Sequence, residues 1–172
     1  QIMYAQRDKI LYSPSIKDSI HGYFEKFSSA SVKENTKILD SETVVDGKKL
    51  LAYLVPRYMP EGEIKLEDID ELPVDDVIDY LTAVYVHRYI KKREEWTPKI
   101  ADYVEKTVTL QMTDRNWTSH IDTMAKLREG IYLRSYANTN PLQDYTNEGY
   151  DLFEKMTYQI AADITSALFR VQ

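Results

Sequence analysis

The sequence predicts an all-α protein built on a long antiparallel helical hairpin, with a small helical domain inserted before the hairpin. Three observations carry this prediction. Apolar residues recur every three or four positions through most of the chain, which is the spacing of a helical face. No proline lies between Pro98 and Pro141. Thr97-Pro98 and Asn140-Pro141 each place a capping side chain before a proline at the first helical position.

The first segment, residues 1–11, has apolar residues but no capping side chain before it, so we expect the last turns of a longer helix. Ser13-Pro14-Ser15 then interrupts the helix, because proline disfavours helical backbone at the residue before it. Ser15 can cap the next helix. The apolar positions of that helix follow at helical spacing: Ile16, Ile20, Tyr23, Phe24 and Phe27. The polar stretch 28–37 predicts a loop.

The middle of the chain predicts two helices separated by a compact, turn-rich patch over residues 64–72. Leu50, Leu51 and Leu54 indicate a short helix that ends before Pro56. Pro73 can begin the next helix, whose apolar stripe is Val77, Ile78, Leu81, Val84, Tyr85, Tyr89 and Ile90. The acidic residues of 61–79 favour a solvated face with acidic helix N-termini, and they lack the pattern of a calcium loop.

The hairpin itself is predicted from two apolar stripes. A helix over 98–134 is about 55 Å long at about 1.5 Å per residue. Its stripe is Val104, Val108, Leu110, Trp117, Ile121, Met124, Leu127 and Ile131. A short turn over 135–140 leads into a final helix of about 45 Å. The stripe of that helix is Tyr145, Leu152, Phe153, Met156, Ile160, Ile164 and Leu168.

Composition excludes several classes of function. The chain has 172 residues and no cysteine, so it has no disulfide scaffold, thiolate metal site or cysteine nucleophile. A net charge of −6 argues against a nucleic-acid binder held by phosphate contacts. The five glycines lack the spacing of phosphate-binding loops, so we expect no nucleotide site of those kinds. No run reaches the roughly 20 apolar residues of a membrane span, and residues 1–20 lack the charged-then-apolar pattern of a signal peptide, so we expect neither.

A specific motif lies in the hairpin, in the string WTSHIDTMAKLREGIYLRSYANTNPLQDYTNEGYDLF from Trp117 to Phe153. It closely resembles the W-x-x-H-L-x-x-M-x-x-L-R-x-G-I-x-L-R-x-Y-x-Q-x-[DN]-P-x-x-E-Y stretch of SecA, the ATPase that drives preproteins through the Sec channel. The residues in register are Trp117, His120, Met124, Leu127, Arg128, Gly130, Ile131, Leu133, Arg134, Tyr136, Pro141 and Tyr145. Residues 1–11 are also similar to the end of the family's scaffold helix, and 50–96 to its helical wing.

The resemblance implies an order of domains. Residues 1–12 would end the scaffold helix, 13–96 would form the helical wing domain, and 97–172 would form the scaffold and two-helix finger hairpin. The family's nucleotide-binding folds and preprotein-crosslinking domain would precede residue 1. ATP and Mg²⁺ would therefore bind in the missing motor domains, and this chain would hold no cofactor and no catalytic residue. The family's zinc tail has no counterpart here, so no metal site is implied.

The resemblance also implies function, partners and location. The chain would contact the secreted preprotein and a SecY-type channel, and would restrain ATP turnover by the remaining motor domains. It would be cytoplasmic and peripheral at the inner face of the cell membrane. Ile121, Asn138 and Asp144 replace the family's usual Leu, Gln and Glu. Such differences are expected of an accessory SecA, the second copy that some Gram-positive bacteria use for particular surface proteins.

Two groups of site residues follow from the resemblance. Tyr136 matches the fingertip tyrosine that touches the translocating chain, with Arg134, Ala137 and Asn138 beside it in the turn. Alternatively, Tyr136 folds back on its own hairpin.

The second group is Trp117, His120 and Arg128, which we expect to pack or to regulate the motor. Trp117 would anchor on the scaffold helix, and His120 would be a hydrogen-bonded partner at that contact rather than a metal ligand or base. Arg128 and Arg134 do not share a helical face. One of them would pair with a carboxylate of the scaffold helix or missing motor, unless both are solvated.

A second function accounts for the missing enzyme motifs equally well. The chain could be a stand-alone helical adaptor that binds one protein partner through its tyrosine-rich faces, without dependence on ATP. The adaptor predicts a native start near Gln1 and a monomer with no open contact surface. The translocase fragment instead predicts an exposed apolar strip on the finger, where the scaffold helix would pack.

Overall fold

The computed structural model describes residues 2–137 and 140–171, in which the chain forms six α-helices and one two-stranded β-hairpin. In chain order these are α1 (Ile2–Tyr12), α2 (Lys17–Lys33), β1 (Thr36–Leu39), β2 (Glu42–Val45), α3 (Gly47–Leu54), α4 (Val74–Arg93), α5 (Pro98–Arg134) and α6 (Pro141–Leu168). A 3₁₀ turn at Leu66–Asp68 precedes α4. The mainly helical architecture confirms the predicted fold class.

The two caps predicted for the hairpin are present. The Thr97 hydroxyl oxygen accepts a hydrogen bond from the backbone N–H of Ile100 at 3.3 Å. The Asn140 side-chain oxygen accepts one from the backbone N–H of Gln143 at 3.4 Å. Each bond satisfies one of the four amide groups that lack a partner at a helix N-terminus. These local signals fix where α5 and α6 begin.

The loop predicted over 28–37 is wrong. Helix α2 continues to Lys33, and β1 begins at Thr36. Ser28 and Ser31 are buried, and the Ser31 hydroxyl donates back to the carbonyl of Phe27 at 2.6 Å. Serine is a weak helix former in isolation. Here it occupies a buried face of the helix, so packing outweighs the local preference.

The β-hairpin that follows is short and tightly turned. Its strands run antiparallel, with Thr36 paired to Val45 and Leu39 paired to Glu42. Asp40 and Ser41 connect them with positive φ angles of 51° and 68°. Two left-handed residues in a two-residue loop match the right-handed twist of the strands. The polar composition of this segment concealed the strands from sequence analysis.

The core forms around α2, which packs against both α4 and α6. Aromatic rings fill this space, with ring centroids 4.6–6.4 Å apart. The members of this aromatic core are Phe24, Phe27, Tyr53, Tyr58, Tyr85, Tyr89, Tyr158 and Phe169. The Tyr85 hydroxyl donates to the carbonyl of Tyr58 at 3.0 Å, so its polar group is satisfied inside the core.

Helix α1 packs along α5 in the antiparallel sense. Arg7 forms an ion pair with Asp114, and Lys106 donates to the carbonyl of Ser13. Helix α2 belongs to the predicted wing, yet it packs on α6 of the predicted finger. The core is thus continuous across position 96. The division into 1–12, 13–96 and 97–172 stays a prediction.

Burial along the hairpin is uneven. The root of α6 is almost fully enclosed: Met156, Ile160–Ser166 and Leu168 are buried. Over 118–137 and 140–155, Ile131 is the one buried residue. Among the described elements, the distal part of each helix therefore rests mainly against the other helix of the hairpin. This distal part carries most of the predicted site residues.

Candidate functional site

The two helices of the hairpin approach closely in the distal part. A Cβ atom added to Gly149 of α6 would lie 3.1 Å from the terminal methyl of Met124 on α5. A distance this short is tighter than ordinary van der Waals contact, so the side chains leave little free space at the crossing. The absence of a side chain on Gly149 thus leaves room for the Met124 methyl between the two helices.

Trp117 and His120 lie together where the distal part begins. Their rings stack with centroids 5.6 Å apart, and His120 meets Phe153 of α6 edge-on at 5.9 Å. Burial lowers the pKa of the His120 imidazole. Among the described residues, His120 makes ring contacts with Trp117 and Phe153, and its role as a hydrogen-bonded partner stays a prediction. Trp117 is half-buried and packs against the hydrophobic core.

An ion pair joins the hairpin helices near their tip. Arg134 donates to Glu148 through both terminal nitrogens, at 2.7 Å and 3.1 Å. This parallel fork is the geometry in which arginine binds a carboxylate most specifically. The hydrogen bond from Arg134 holds the pKa of the Glu148 carboxyl below its usual range. Arg134 thus pairs within the hairpin rather than with the scaffold helix, and Arg128 is exposed on α5.

The tip of the hairpin presents aromatic and aliphatic side chains to solvent. Tyr136 is 79% exposed, and its ring meets Tyr132 edge-on at 6.1 Å. Tyr136 therefore contacts its own helix while most of its surface stays free. Ala137 beside it is exposed, and Asn138 lies outside the described residues. The other exposed apolar residues of this tip surface are Tyr132, Leu133 and Leu142.

The sequence did not lead us to the other tip residues, Tyr132, Leu133 and Leu142, or to Glu148 as the partner of Arg134. The helical period that buries Ile131 also turns Tyr132 and Leu133 outward, so the signal for both was present. Glu148 could not be assigned from the sequence, since its pairing with Arg134 depends on the register of α5 against α6.

A second polar cluster lies at the root, between α4 and α5. Glu105 is fully buried, and one of its carboxylate oxygens accepts from the Tyr89 hydroxyl at 2.5 Å and from Arg93 Nε at 3.0 Å. Arg93 also donates to Asp102 at 3.0 Å. The second oxygen of Glu105 is buried without a partner in the described part of the chain. Sequence analysis did not identify this cluster.

Two searches of the described residues bear on membrane and metal chemistry. Of the helices in 2–137 and 140–171, none combines the length and the apolar character that crossing a bilayer requires. In the same ranges, histidine and acidic side chains do not gather in groups of three or more that could hold a metal ion.

Comparison with known proteins gives a consistent result over the whole chain. The profile of the family described as the SecA wing and scaffold domain matches residues 1–172. The chain is 31% identical over 172 residues to proteins named protein translocase subunit SecA from Clostridium novyi and Clostridium acetobutylicum. A protein of the same name from Clostridium tetani is also 31% identical. Each match covers 100% of this chain, which spans about a fifth of the length of these relatives: 21%, 20% and 21%.

Proposed function

This chain belongs to the SecA family, as its wing and scaffold domain, and from that premise we propose that it forms the preprotein-contacting finger of an ATP-driven translocase. In this role the chain performs no bond chemistry. ATP and Mg²⁺ bind in motor domains outside residues 1–172, and those domains move the hairpin. The finger tip meets the secreted preprotein at the mouth of a SecY-type channel, with the motor peripheral at the inner face of the membrane.

The observation that carries this proposal is the tip surface. The tip surface lies at the end of a long helical pair whose two prolines stand only at the helix starts, and most of the area of four residues is exposed there: Tyr132, Leu133, Tyr136 and Leu142. Exposed aromatic rings supply contact area with few rotamers to freeze. Such a surface suits an unfolded chain of varied sequence, because it offers apolar contact without demanding particular hydrogen bonds.

Exposure elsewhere on the finger supports the translocase over the stand-alone adaptor. Ile121 and Tyr150 are 53% and 66% exposed on the distal part of the hairpin. Exposed apolar side chains on the finger are expected where a scaffold helix packs. We therefore propose that the outer surface of the hairpin contacts the remaining motor domains. Trp117 and His120 pack where the distal part begins, and Arg128 is exposed on it. In this proposal the three residues link movements of the finger to the motor and restrain ATP turnover.

The experiment uses the chain's lack of cysteine. A complete cysteine-free motor carrying this chain receives Tyr136→Cys and is trapped with a preprotein that bears a single cysteine. We expect a disulfide crosslink that requires both ATP and the channel. Tyr103→Cys is the matched control, because Tyr103 is 70% exposed at the root of α5, far along the helix from the tip.

A crosslink at position 103 but not at 136 would refute the fingertip role. A crosslink at 136 that forms without ATP and without the channel would instead favour the adaptor. The distinction between a general and an accessory motor stays a prediction, and the set of preproteins exported by each motor would test it.

A further inference from the structure

An arginine-lined cavity of about 290 Å³ opens at the root of the hairpin, where the C-terminal end of α6 meets α5. Arg57, Arg115 and Arg170 line it, and Asp163 is its one acidic residue. Part of its wall is apolar, formed by Met112, Ala167 and Val171. The cavity lies at the opposite end of α6 from the finger tip, so the proposed contact with preprotein leaves it unexplained.

The carboxylate of Asp163 is already fully engaged. One oxygen accepts from the Gln159 side-chain amide at 2.8 Å. The other accepts from the Asn116 side-chain amide at 2.9 Å and from Arg115 at 3.3 Å. Asp163 is 9% exposed, so little room remains for a further donor. It therefore compensates the charge of Arg115 and leaves the other two arginines unmatched.

Arg57 and Arg170 form no ion pair with any residue in the described ranges. The guanidinium of Arg57 lies 5.4 Å from the centre of the Tyr58 ring, which attracts it without neutralising it. Both arginines are exposed to solvent. The carbonyl end of α6 supplies only about half of one negative charge. The cavity thus holds nearly two uncompensated positive charges in a chain whose net charge is −6.

We propose that this cavity binds a phosphate dianion. Each guanidinium offers a planar fork of donors that fits phosphate oxygens in pairs. Two unmatched charges suit a dianion, whereas a single carboxylate would leave one of them unmatched. Inorganic phosphate and the phosphomonoester headgroup of a lipid share this chemistry.

A second cavity is larger than the arginine-lined one, but the charges of its lining residues balance. It measures about 1080 Å³ and lies between α2, α3 and α6. Four lysines line it, but so do four carboxylates, so its charges balance. The arginine-lined cavity, by contrast, has an excess of two positive charges among its lining residues.

The test is a titration of the whole chain with sodium phosphate at constant ionic strength, followed by NMR of the backbone amides. We expect saturable shifts at residues lining the cavity. The double variant Arg57→Gln/Arg170→Gln is expected to bind at least about tenfold more weakly, because two charge-assisted contacts are lost. The matched control is Lys65→Gln/Lys99→Gln, which removes the same charge from exposed positions outside the cavity. Equal thermal midpoints would establish that both variants fold.

A second arm separates the two sources of phosphate. Vesicles of phosphatidylcholine with and without phosphatidic acid are sedimented with each protein. Binding of free phosphate that is lost in the double variant supports a site for the small ion. Sedimentation with phosphatidic acid alone, again lost in the double variant, supports a lipid headgroup. Absence of both, or equal binding by the double variant and the wild-type chain, would overturn the proposal, which stands apart from preprotein handling.

Discussion

Glu105 shows how one residue can hold two parts of this molecule together. Its carboxylate is fully buried and bonds to Tyr89 and Arg93 on α4. Taking a charge out of water is costly, so a buried pair is stable only while both partners remain. The same burial raises the pKa of the Tyr89 hydroxyl, which keeps that group a donor.

Glu105→Ala is therefore expected to lower the free energy of unfolding by about 3–5 kcal/mol, since Arg93 loses its buried partner. Denaturant unfolding measures this. Glu129→Ala, an exposed glutamate on the same helix, is the control and should change stability by about 0.5 kcal/mol at most. A loss at Glu105 no larger than the control's would mean that the pair contributes nothing.

The Arg134–Glu148 pair makes a prediction about pH. Arg134 lowers the pKa of Glu148 from its ordinary 4.5. A lowered carboxyl pKa stabilises the folded chain above the unfolded value, and that contribution is lost as pH falls through the folded value. An NMR titration should find the pKa of the Glu148 carboxyl below 4.5 in the wild-type chain and near 4.5 in the Arg134→Gln variant. An unchanged value in the variant would rule out the pair in solution.

Residues of this kind lie beyond what sequence reasoning can reach. Glu105 stands twelve and sixteen positions from its partners, on another helix. Nothing in its local pattern distinguishes it from a solvated glutamate. The position of Tyr136, by contrast, could be predicted from local signals. It lies in the turn between two helices whose starts are marked by capping residues.

At the scale of elements, two glycines have opposite roles. A Cβ atom on Gly47, at the start of α3, would lie 2.8 Å from Asp70 Cβ and 2.9 Å from Asp70 Cα. The Gly47 N–H also donates to the Asp70 carboxylate at 2.9 Å, so the two segments cannot separate freely. Gly130, in the interior of α5, has no neighbour within 4 Å of such a Cβ.

Gly47→Ala is expected to lower stability by about 1–3 kcal/mol through overpacking. Gly130→Ala is expected to raise it by about 0.5–1 kcal/mol, because alanine loses less backbone entropy in a helix. Thermal or denaturant unfolding of the two variants measures whether each substitution lowers or raises the free energy of unfolding. The same sign for both variants would contradict the close contact at Gly47.

The elements that sequence predicted best are those with signals inside their own few residues. Thr97-Pro98 and Asn140-Pro141 fixed the starts of α5 and α6 because capping is local chemistry. The end of α2 was missed because Ser28 and Ser31 are helical only through burial against other elements. The β-hairpin was missed because each strand is four residues long and too short for alternation to show.

For the whole molecule, the uneven burial of the hairpin predicts uneven protection of its amides. Hydrogen exchange by mass spectrometry should find residues 122–134 exchanging at least about tenfold faster than 156–168, because few tertiary contacts oppose local opening there. Both segments are helical, so secondary structure alone predicts no difference. Equal protection would indicate that the distal part is stabilised by contacts other than those described.

Family membership, too, emerges at this scale. The motif from Trp117 to Phe153 identified the family from the last third of the chain, and the family profile extends the match to residues 1–172. The chain is 31% identical over all 172 residues to the SecA of Clostridium novyi, and that length includes the elements whose fold was not predicted. Sequence could therefore name the family before it could place the wing's strands.

The hairpin has the mechanics of a cantilever. The root of the hairpin is buried in the core. Beyond it, about twenty residues of α5 contact mainly α6, over a length of about 30 Å at about 1.5 Å per residue. Rotation of the root by about 10° would displace the hairpin tip by about 5 Å, close to one helical turn. The Arg134–Glu148 ion pair and the contact of Met124 with Gly149 join the two helices near the tip. A tilt at the base would therefore move both helices, and Tyr136 with them.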